Sequence, residues 1–386
     1  MPWKDQTVLD QRLEFVTLAA TAELPVSELC RRFGISRNTG YKWLARAAAT
    51  PPEAGPAQVL AGRLGDRSRR PLHSPWQTGT ALETAVLEVR RAHPAWGGRK
   101  IAHVLARDRA LQIAPSTVTH VLHRHGLIST AASEAATPWH RFEHEQPNSL
   151  WQMDFKGHFA IDSGRCHALT VLDDHSRFNI VLAACANEQR SSVQHCLHEA
   201  FTIYGLPTRI NTDNGAPWGS GCRSELSALG AWLVRLGVGL SHSTPAHPQT
   251  NGKDERFHRS LKAEVLQQRF ADLPQVQRAF DWWRALYNRE RPHQSLAMAT
   301  PAQRYRPSPR PLPSVLPDIE YATGDLVRKV QQGGWISLRG HNVRVSAALI
   351  GQPVALRPRH DLDGVYELFF CHRKLDEIDL RQSIKS

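Results

Sequence analysis

Residues 149–161 read SLWQMDFKGHFAI, alternating apolar and polar side chains with the two-residue period of a β-strand. Two more strand-like runs follow at hairpin spacing, HALTVLDDHSRF at 167–178 and NIVLAACA at 179–186. The pattern then changes. An amphipathic stretch, SSVQHCLHEAFTIYG (191–205), precedes a short strand, TRINTD (208–213), which ends at Asn214-Gly215. A helix-like SELSALGAWLVRLG (224–237), the strand VGLSHS (238–243), a loop rich in Pro, Gln, Thr and Gly, and a basic helix from about 252 to 268 complete the block. A meander followed by alternating helices and strands predicts an α/β unit whose sheet mixes strand directions.

Three carboxylates stand out in this block: Asp154 in WQMDF, Asp213 in TDNG and Glu255 in NGKDERFHRSLK. The first two end apolar strand patterns and the third opens the basic helix, so folding can gather them into an oxygen-only cage. Such a cage suits hard divalent cations, and two Mg²⁺ or Mn²⁺ ions about 3.5–4 Å apart serve in-line displacement at phosphorus. In that reading Asp154 bridges the ions, Asp213 completes one shell and Glu255 the other. Lys253, Arg256, Arg259 and Lys262 supply charge for phosphates, since positions 255, 259 and 262 share a helical face. Neighbours on a helix point about 100° apart, so only one of Asp254 and Glu255 can aim at the shared site. Phe257, Leu261 and Val265 mark the packed side; Glu255 is assigned as the ligand and Asp254 as dispensable.

Charge agrees with a polyanionic partner. The 386 residues carry 48 Lys+Arg against 36 Asp+Glu, a net charge of +12, and the pI is near 9.8. Residues 151–250 hold 7 basic and 8 acidic side chains, whereas residues 1–150 hold 19 and 13 and residues 251–310 hold 12 and 6. A slightly acidic centre with basic flanks fits metal in the middle and phosphate backbone around it. The six cysteines form no CxxC pair, so neither a zinc site nor a disulfide framework is indicated. No apolar run of about 18 residues and no signal-peptide layout occur, which sets membrane and export readings aside.

Composition breaks divide the chain into a first module at 1–50, a basic linker at 51–77, a second module at 78–128, a linker at 129–147, the core at 148–306, a Pro-rich linker at 307–319 and a last domain at 320–386. The first module runs VLDQRLEFVTLA, VSELCRRFG and SRNTGYKWLARA, with Ser27 and Ser36 placed as helix caps and Gly34-Ile35 as turn and wedge. This is a helix-turn-helix pattern. With 36–46 as recognition helix, Trp43 and Leu44 face inward while Arg37, Asn38 and Lys42 reach a major groove; a small bundle serving as a protein contact is the alternative. The second module repeats the logic in ALETAVLEVRRAHP, WGGRKIAHVLARD and PSTVTHVLHRHGL, with Ile101, Val104 and Leu105 inward. Its candidate DNA contacts are Arg99, Lys100, Thr117, Thr119 and His120. Between the modules, Arg63, Arg67, Arg69 and Arg70 form either a solvated linker or an arm lying along DNA.

Other groups have plainer readings. Asp173 and Asp174 are turn-forming or Arg177-paired acids, Asp162 is a hairpin residue and Glu264 is a surface acid. Trp282 and Trp283 are core residues, and the HPQTNG loop at 247–252 is a connector or a contact to target DNA. Past the Pro-rich linker, alternating patterns with turns at Gly333-Gly334 and Asp363-Gly364 predict a small β-barrel.

The ordered motifs WQMDF, LDDHSRF, TDNG, HPQTNGKDERFHRSLK, YNRERPHQSL and TPAQRY together resemble those of DDE transposases of bacterial insertion sequences, relatives of retroviral integrases. WGGRKIAHVLARD with HRHGLI is similar to the helix-turn-helix module that precedes the core in those transposases. The likeness covers about residues 80–306. It implies a multi-domain fold: α-helical helix-turn-helix domains, then an α/β RNase H-like core with a mixed sheet. The metal-binding triad falls on Asp154, Asp213 and Glu255, with 58 residues between the first pair and 41 between the second. The second gap exceeds the shortest integrase-type spacing, which implies an insertion around GSGCRSELSALG.

It further implies an enzyme acting on double-stranded DNA, both terminal inverted repeats and target, as a homodimer or higher homo-oligomer in a cytoplasmic, nucleoid-associated setting. Two other readings stay open: a DNA-binding regulator that has lost catalysis, which the intact carboxylates oppose, and an RNase H-type nuclease without strand transfer, which the helix-turn-helix patterns oppose.

Overall fold

Helix caps and a closely packed glycine shape the first module. The computed structural model describes residues 7–49, 63–66, 77–128, 143–213, 215, 217–218, 226–242 and 252–381. They divide into two units, residues 1–77 and 78–386. In the first unit, α1 (Val8–Ala20) starts at a Thr7–Asp10 capping box, and α3 (Arg37–Ala48) starts at Ser36, whose side chain accepts from the Thr39 amide. Helix α2 (Val26–Arg32) begins at Pro25 instead, so Ser27 lies within the first turn and caps nothing. Gly40 is where three elements meet: a Cβ there would lie 2.5 Å from Cys30 Sγ and 3.0 Å from Phe15 Cζ. Phe15, Leu29, Cys30, Trp43 and Leu64 form the core, and the guanidinium groups of Arg12 and Arg46 lie 4.0 and 4.6 Å from the Trp43 ring centroid.

In the second unit, α4 (Thr80–Ala92), α5 (Gly98–Arg109) and α6 (Pro115–Arg124) pack around Val86, Trp96, Ile101, Leu105, Val118 and Leu122. This module is not free of the core, because Leu286 joins its apolar cluster and Arg107 Nη1 donates to the Glu290 carbonyl at 3.3 Å.

The core sheet has the order β3-β2-β1-β4-β5. Strands β1 (Trp151–Ile161), β2 (Gly164–Asp173) and β3 (Asn179–Cys185) form the antiparallel meander; β4 (Arg209–Thr212) and β5 (Gly239–His242) run parallel to β1. The pleat separates two faces. Trp151 and Met153 join the cluster under α7 (Arg190–Tyr204) and α8 (Ala228–Arg235). Residues of the other face, with Cys166, Ala168 and Leu182, pack under α9 (Gly252–Glu264) and α10 (Leu273–Arg289) through Phe257, Leu261, Phe280 and Trp283. Gln152 and Asp154 lie on this second face. The β1–β2 register shifts between Phe155 and His158, where Gly157 adopts φ +80°, so the strand bends just beyond Asp154.

The Pro-rich segment is strapped to the core rather than tethering freely. The Ser308 amide donates to the Tyr204 carbonyl at 2.8 Å, the Leu206 amide to the Arg310 carbonyl at 2.7 Å, and Arg310 Nη2 to the Gly237 carbonyl at 2.8 Å. After α11 (Pro301–Arg304) and this strap come β6 (Leu326–Lys329), β7 (Trp335–Leu338), β8 (His341–Arg344), β9 (Pro353–Pro358), β10 (Val365–Phe370) and β11 (Arg373–Asp379). The expected barrel is not closed. The strands form a four-stranded sheet, β11-β10-β9-β6, and a separate β7-β8 pair. Their core is completed from outside by Leu226, Ala231 and Val234, and Ser346 Oγ donates to the Leu226 carbonyl at 2.9 Å.

Candidate active site

Asp154 and Asp213 come together through strand register. Strand β4 runs parallel beside β1 with Gln152 opposite Asn211, and two residues further along the same face this brings Asp213 beside Asp154. Asp213 stands just past the end of β4. His242 Nδ1 lies 2.9 Å from its carbonyl, and the Gly215 amide donates to its Oδ1 at 3.0 Å. Burial, then the charge of Asp213, push Asp154 up to about 6. A carboxylate whose proton affinity is raised by a neighbouring carboxylate belongs to a donor set suited to a hard cation, which removes the same repulsion.

Helix α9 covers Asp154. His258 Nε2 lies 2.9 Å from Thr170 Oγ1, and that hydroxyl donates to the Asp154 carbonyl at 3.0 Å. His258 Nδ1 stands 4.0 Å from Asp154 Oδ2. Burial, then Lys156, hold this imidazole down to about 4, so it is neutral near pH 7. The helical period carries Asp254, Phe257, His258 and Leu261 inward, while Glu255, Arg256, Arg259 and Lys262 are exposed. Asp254 is thus the acid of the first turn that faces Asp154. Burial and the charges of Asp154 and Asp174 raise its proton affinity well above the usual carboxylate value, and its Oδ1 has no hydrogen-bond partner among the described residues. Glu255 is exposed to solvent. Among the described residues, no three His, Cys, Asp or Glu groups lie close enough to hold a metal ion.

The remaining candidates fall in three settings. Arg37, Asn38 and Lys42 are exposed along α3, and Arg99 and His120 are exposed in the second module. Lys100, Thr117, Thr119 and Arg63 are half-buried. Thr119 Oγ1 donates to the Pro115 carbonyl at 2.9 Å, and burial, then repulsion from Arg291, bring Lys100 down to about 7. Lys253 is turned inward, where its ammonium pairs with Asp174. Arg67, Arg69, Arg70 and residues 247–251 of the HPQTNG loop lie outside the described residues.

Several groups were misread or missed in the sequence. Glu264 is no surface acid: its side chain is 5% exposed, pairs with Arg291 Nη1 at 2.9 Å and accepts from Trp283 Nε1 at 2.6 Å. Arg291 Nη2 also donates to Ser260 Oγ at 2.8 Å, so the YNRERPHQSL segment grips the far end of α9. Trp283 is core, but Trp282 is 64% exposed. Asp173 forms the expected turn, accepting from the Ser176 amide at 2.8 Å. The Asp174 carboxylate bonds instead to other segments, Lys253 among its partners.

Comparison with known proteins agrees with this architecture. The chain matches two homeodomain-like domain families at residues 7–54 and 39–122, the integrase core domain at 144–248 and 236–301, and the C-terminal domain of the IS481 family transposases at 325–385. It carries helix-turn-helix domains and an integrase core with a mixed sheet. These matches place it among the transposases of insertion sequences.

It is 28% identical over 261 residues to the insertion element IS476 protein of Xanthomonas euvesicatoria, covering 66% of this chain and 72% of that one. It is 27% identical to the insertion element IS407 protein of Burkholderia multivorans, covering 41% of this chain and 55% of that one. The Gag-Pro-Pol polyprotein of simian retrovirus SRV-2 is 32% identical over 190 residues, 47% of this chain and only 10% of its own length. A simian T-cell lymphotropic virus intasome structure aligns over 77% of this chain and 96% of the matched one, with 16% identity and a TM-score of 0.38. No helix among the described residues is long and apolar enough to cross a membrane.

Proposed function

We propose that this chain binds the terminal inverted repeats of its mobile element and carries out metal-dependent strand cleavage and transfer of the new 3′-hydroxyl into target DNA. The observation that carries this reading is the approach of Asp154 on β1 and Asp213 just past the end of the adjacent parallel β4, with a helix of acidic first turn over Asp154. Asp154, Asp213 and Glu255 would hold two Mg²⁺ or Mn²⁺ ions. Glu255 is the exposed acid of that turn and has the longer side chain, so it reaches the rim of the site without leaving a buried position. Asp254, buried and with its proton affinity raised, is a weaker ligand. When bound, the metal supplies charge for activating the attacking oxygen and stabilising the leaving one.

The chain's own residues supply alignment. Neutral His258 holds the backbone of Asp154 through Thr170 and carries no positive charge to compete for its carboxylate. Arg256, Arg259 and Lys262 line the solvent face of α9, where they would hold phosphates beside the carboxylates. The first module, with Arg37, Asn38 and Lys42 exposed on α3, would read the repeat sequence in the major groove. Assembly as a homodimer or higher homo-oligomer would bring two element ends together, and such a protein would act where the nucleoid is.

A strand-transfer assay with labelled element ends tests the reading. Joined product in Mg²⁺ or Mn²⁺ that vanishes in Asp154→Asn supports it. Cleavage without joining would mean a nuclease, and specific binding without either would mean a regulator.

A further inference from the structure

We propose that Asp174 is a positioning residue that fixes the acidic first turn of α9 against β1, and so sets where Glu255 stands relative to Asp154. The proposal rests on the proposed role of those carboxylates in holding metal. Asp174 lies in the β2–β3 turn with its side chain 1% exposed. Its Oδ1 accepts from Gln152 Nε2 at 2.9 Å and from the Lys253 ammonium. Its Oδ2 accepts from the His144 amide at 3.0 Å, and its own amide donates to the Leu150 carbonyl at 2.9 Å.

The partners matter because of their places in the chain. Gln152 stands two residues before Asp154 on the same face of β1, and Lys253 stands two residues before Glu255. One carboxylate oxygen therefore holds both elements. Sliding the start of α9 along β1 stretches a charge-assisted bond in a site too buried for water to replace it. Lys253 also reaches the Asp174 carbonyl, at 3.4 Å.

Turn formation does not account for this acid. Asp173 already closes the turn, accepting from the Ser176 amide and hydroxyl at 2.8 and 2.6 Å and from the Asn148 amide at 2.7 Å. The side-chain bonds of Asp174 to His144, Gln152 and Lys253 each run to another segment: the stretch before β1, β1 itself, and α9.

The test uses the full chain and the variants Asp174→Asn, Lys253→Met and their double. Asparagine keeps the volume but offers an N–H₂ where one carboxylate oxygen accepted. In metal-free protein, amides of Arg256–Arg259, which bond back to the first turn, should exchange about tenfold faster in Asp174→Asn, with β1–β3 amides unchanged. Calorimetric titration with Mn²⁺ should show affinity weakened about 10-fold or more. Lys253→Met should do the same in part, and the double variant should be no worse than Asp174→Asn because both remove one interaction.

Unchanged exchange in α9, unchanged Mn²⁺ affinity, or additive losses in the double variant would overturn the proposal. If Asp174→Asn folds poorly, Lys253→Met decides alone, since it leaves the bonds to Gln152 and His144 in place. Asp154→Asn is the reference for the underlying reading: it should lose Mn²⁺ binding with α9 exchange unaltered. If it keeps joining activity, the carboxylate assignment fails, while the exchange data still decide the tie made by Asp174.

Discussion

Asp254 and Glu255 pose the sharpest question at the scale of single residues, because adjacent acids on one helix turn have opposite surroundings. Asp254 is buried against Asp154 with an oxygen unpaired among the described residues, and burial raises its proton affinity. Asparagine keeps the shape of that buried acid, so Asp254→Asn should retain joining within about threefold, whereas Glu255→Gln should lose it by at least about 100-fold, as loss of a charged metal ligand requires. Side-by-side strand-transfer rates decide, and the reverse pattern would move the third ligand to Asp254. Asp154→Asn and Asp213→Asn should each abolish joining while terminal-repeat affinity, measured by mobility shift, stays within about twofold, since an amide keeps the shape but loses the charge that holds metal. The placement of these acids was legible only in part: Asp213 lies just past a strand and Glu255 in the first turn of a helix as the patterns indicated, but Asp154, expected to end a strand, lies inside β1. The inward turn of Lys253 was not, because a lysine in a basic helix reads as solvent-facing until Asp174, a residue 79 positions away, supplies its partner.

Among elements, α9 is the part on which the candidate site depends, and it is held at both ends by buried charge. Lys253–Asp174 fixes the start; Arg291 with Glu264 and Ser260 fixes the end. Removing one partner of a buried pair leaves the other charge desolvated, which costs about 3–5 kcal/mol. Arg291→Met should therefore lower the unfolding free energy, measured by denaturant titration, by that amount, and Arg291→Met with Glu264→Gln should recover much of it; losses that add in the double variant would show that the pair is not a unit. The sequence predicted this helix, the meander and the parallel strands, since period and turn residues set them locally. It did not reveal Glu264 as buried, because burial there comes from Trp283 and Arg291, both far along the chain. Nor did alternation in the last domain distinguish a closed barrel from an open sheet: closure depends on which edges pair, and here Leu226 and residues of α8 pack into the apolar core of the open strands.

Across the whole molecule, the second module and the core share an apolar cluster, and their meeting place carries a charge cost. Lys100, at about 7 instead of 10.5, is held down by burial and then by Arg291. Between those values the unfolded chain keeps a proton that the folded chain has lost, so the cost of holding this lysine is absent above 10.5, grows as pH drops towards 7, and is constant below 7. In sign, the folded pKa is depressed, so the unfolded chain binds more protons in this window and stability increases with pH from about 7 towards 10.5. Lys100→Met should raise the melting temperature by about 2–4 °C at pH 6 and by less at pH 9.5; a pH-independent shift would mean that the lysine is not strained. The same docking bears on DNA binding. A cut at residue 128 would expose Leu286 and the helices that cover it, so the division between reading and holding DNA is better tested by substitutions in the full chain. Arg37, Asn38 and Lys42 lie exposed on α3, the helix proposed to enter a groove, whereas Arg256, Arg259 and Lys262 lie exposed on α9. Joint alanine replacement of the first three should erase most of the preference for terminal-repeat over scrambled duplex. Replacement of the second three should weaken both duplexes alike and reduce the slope of log affinity against log salt by about 2.7, or about 0.9 for each phosphate no longer neutralised. Binding isotherms across a salt series measure both quantities at once. Loss of discrimination from the α9 substitutions, or an unchanged slope, would show that the core itself reads sequence and that the basic face after Glu255 does not hold the backbone.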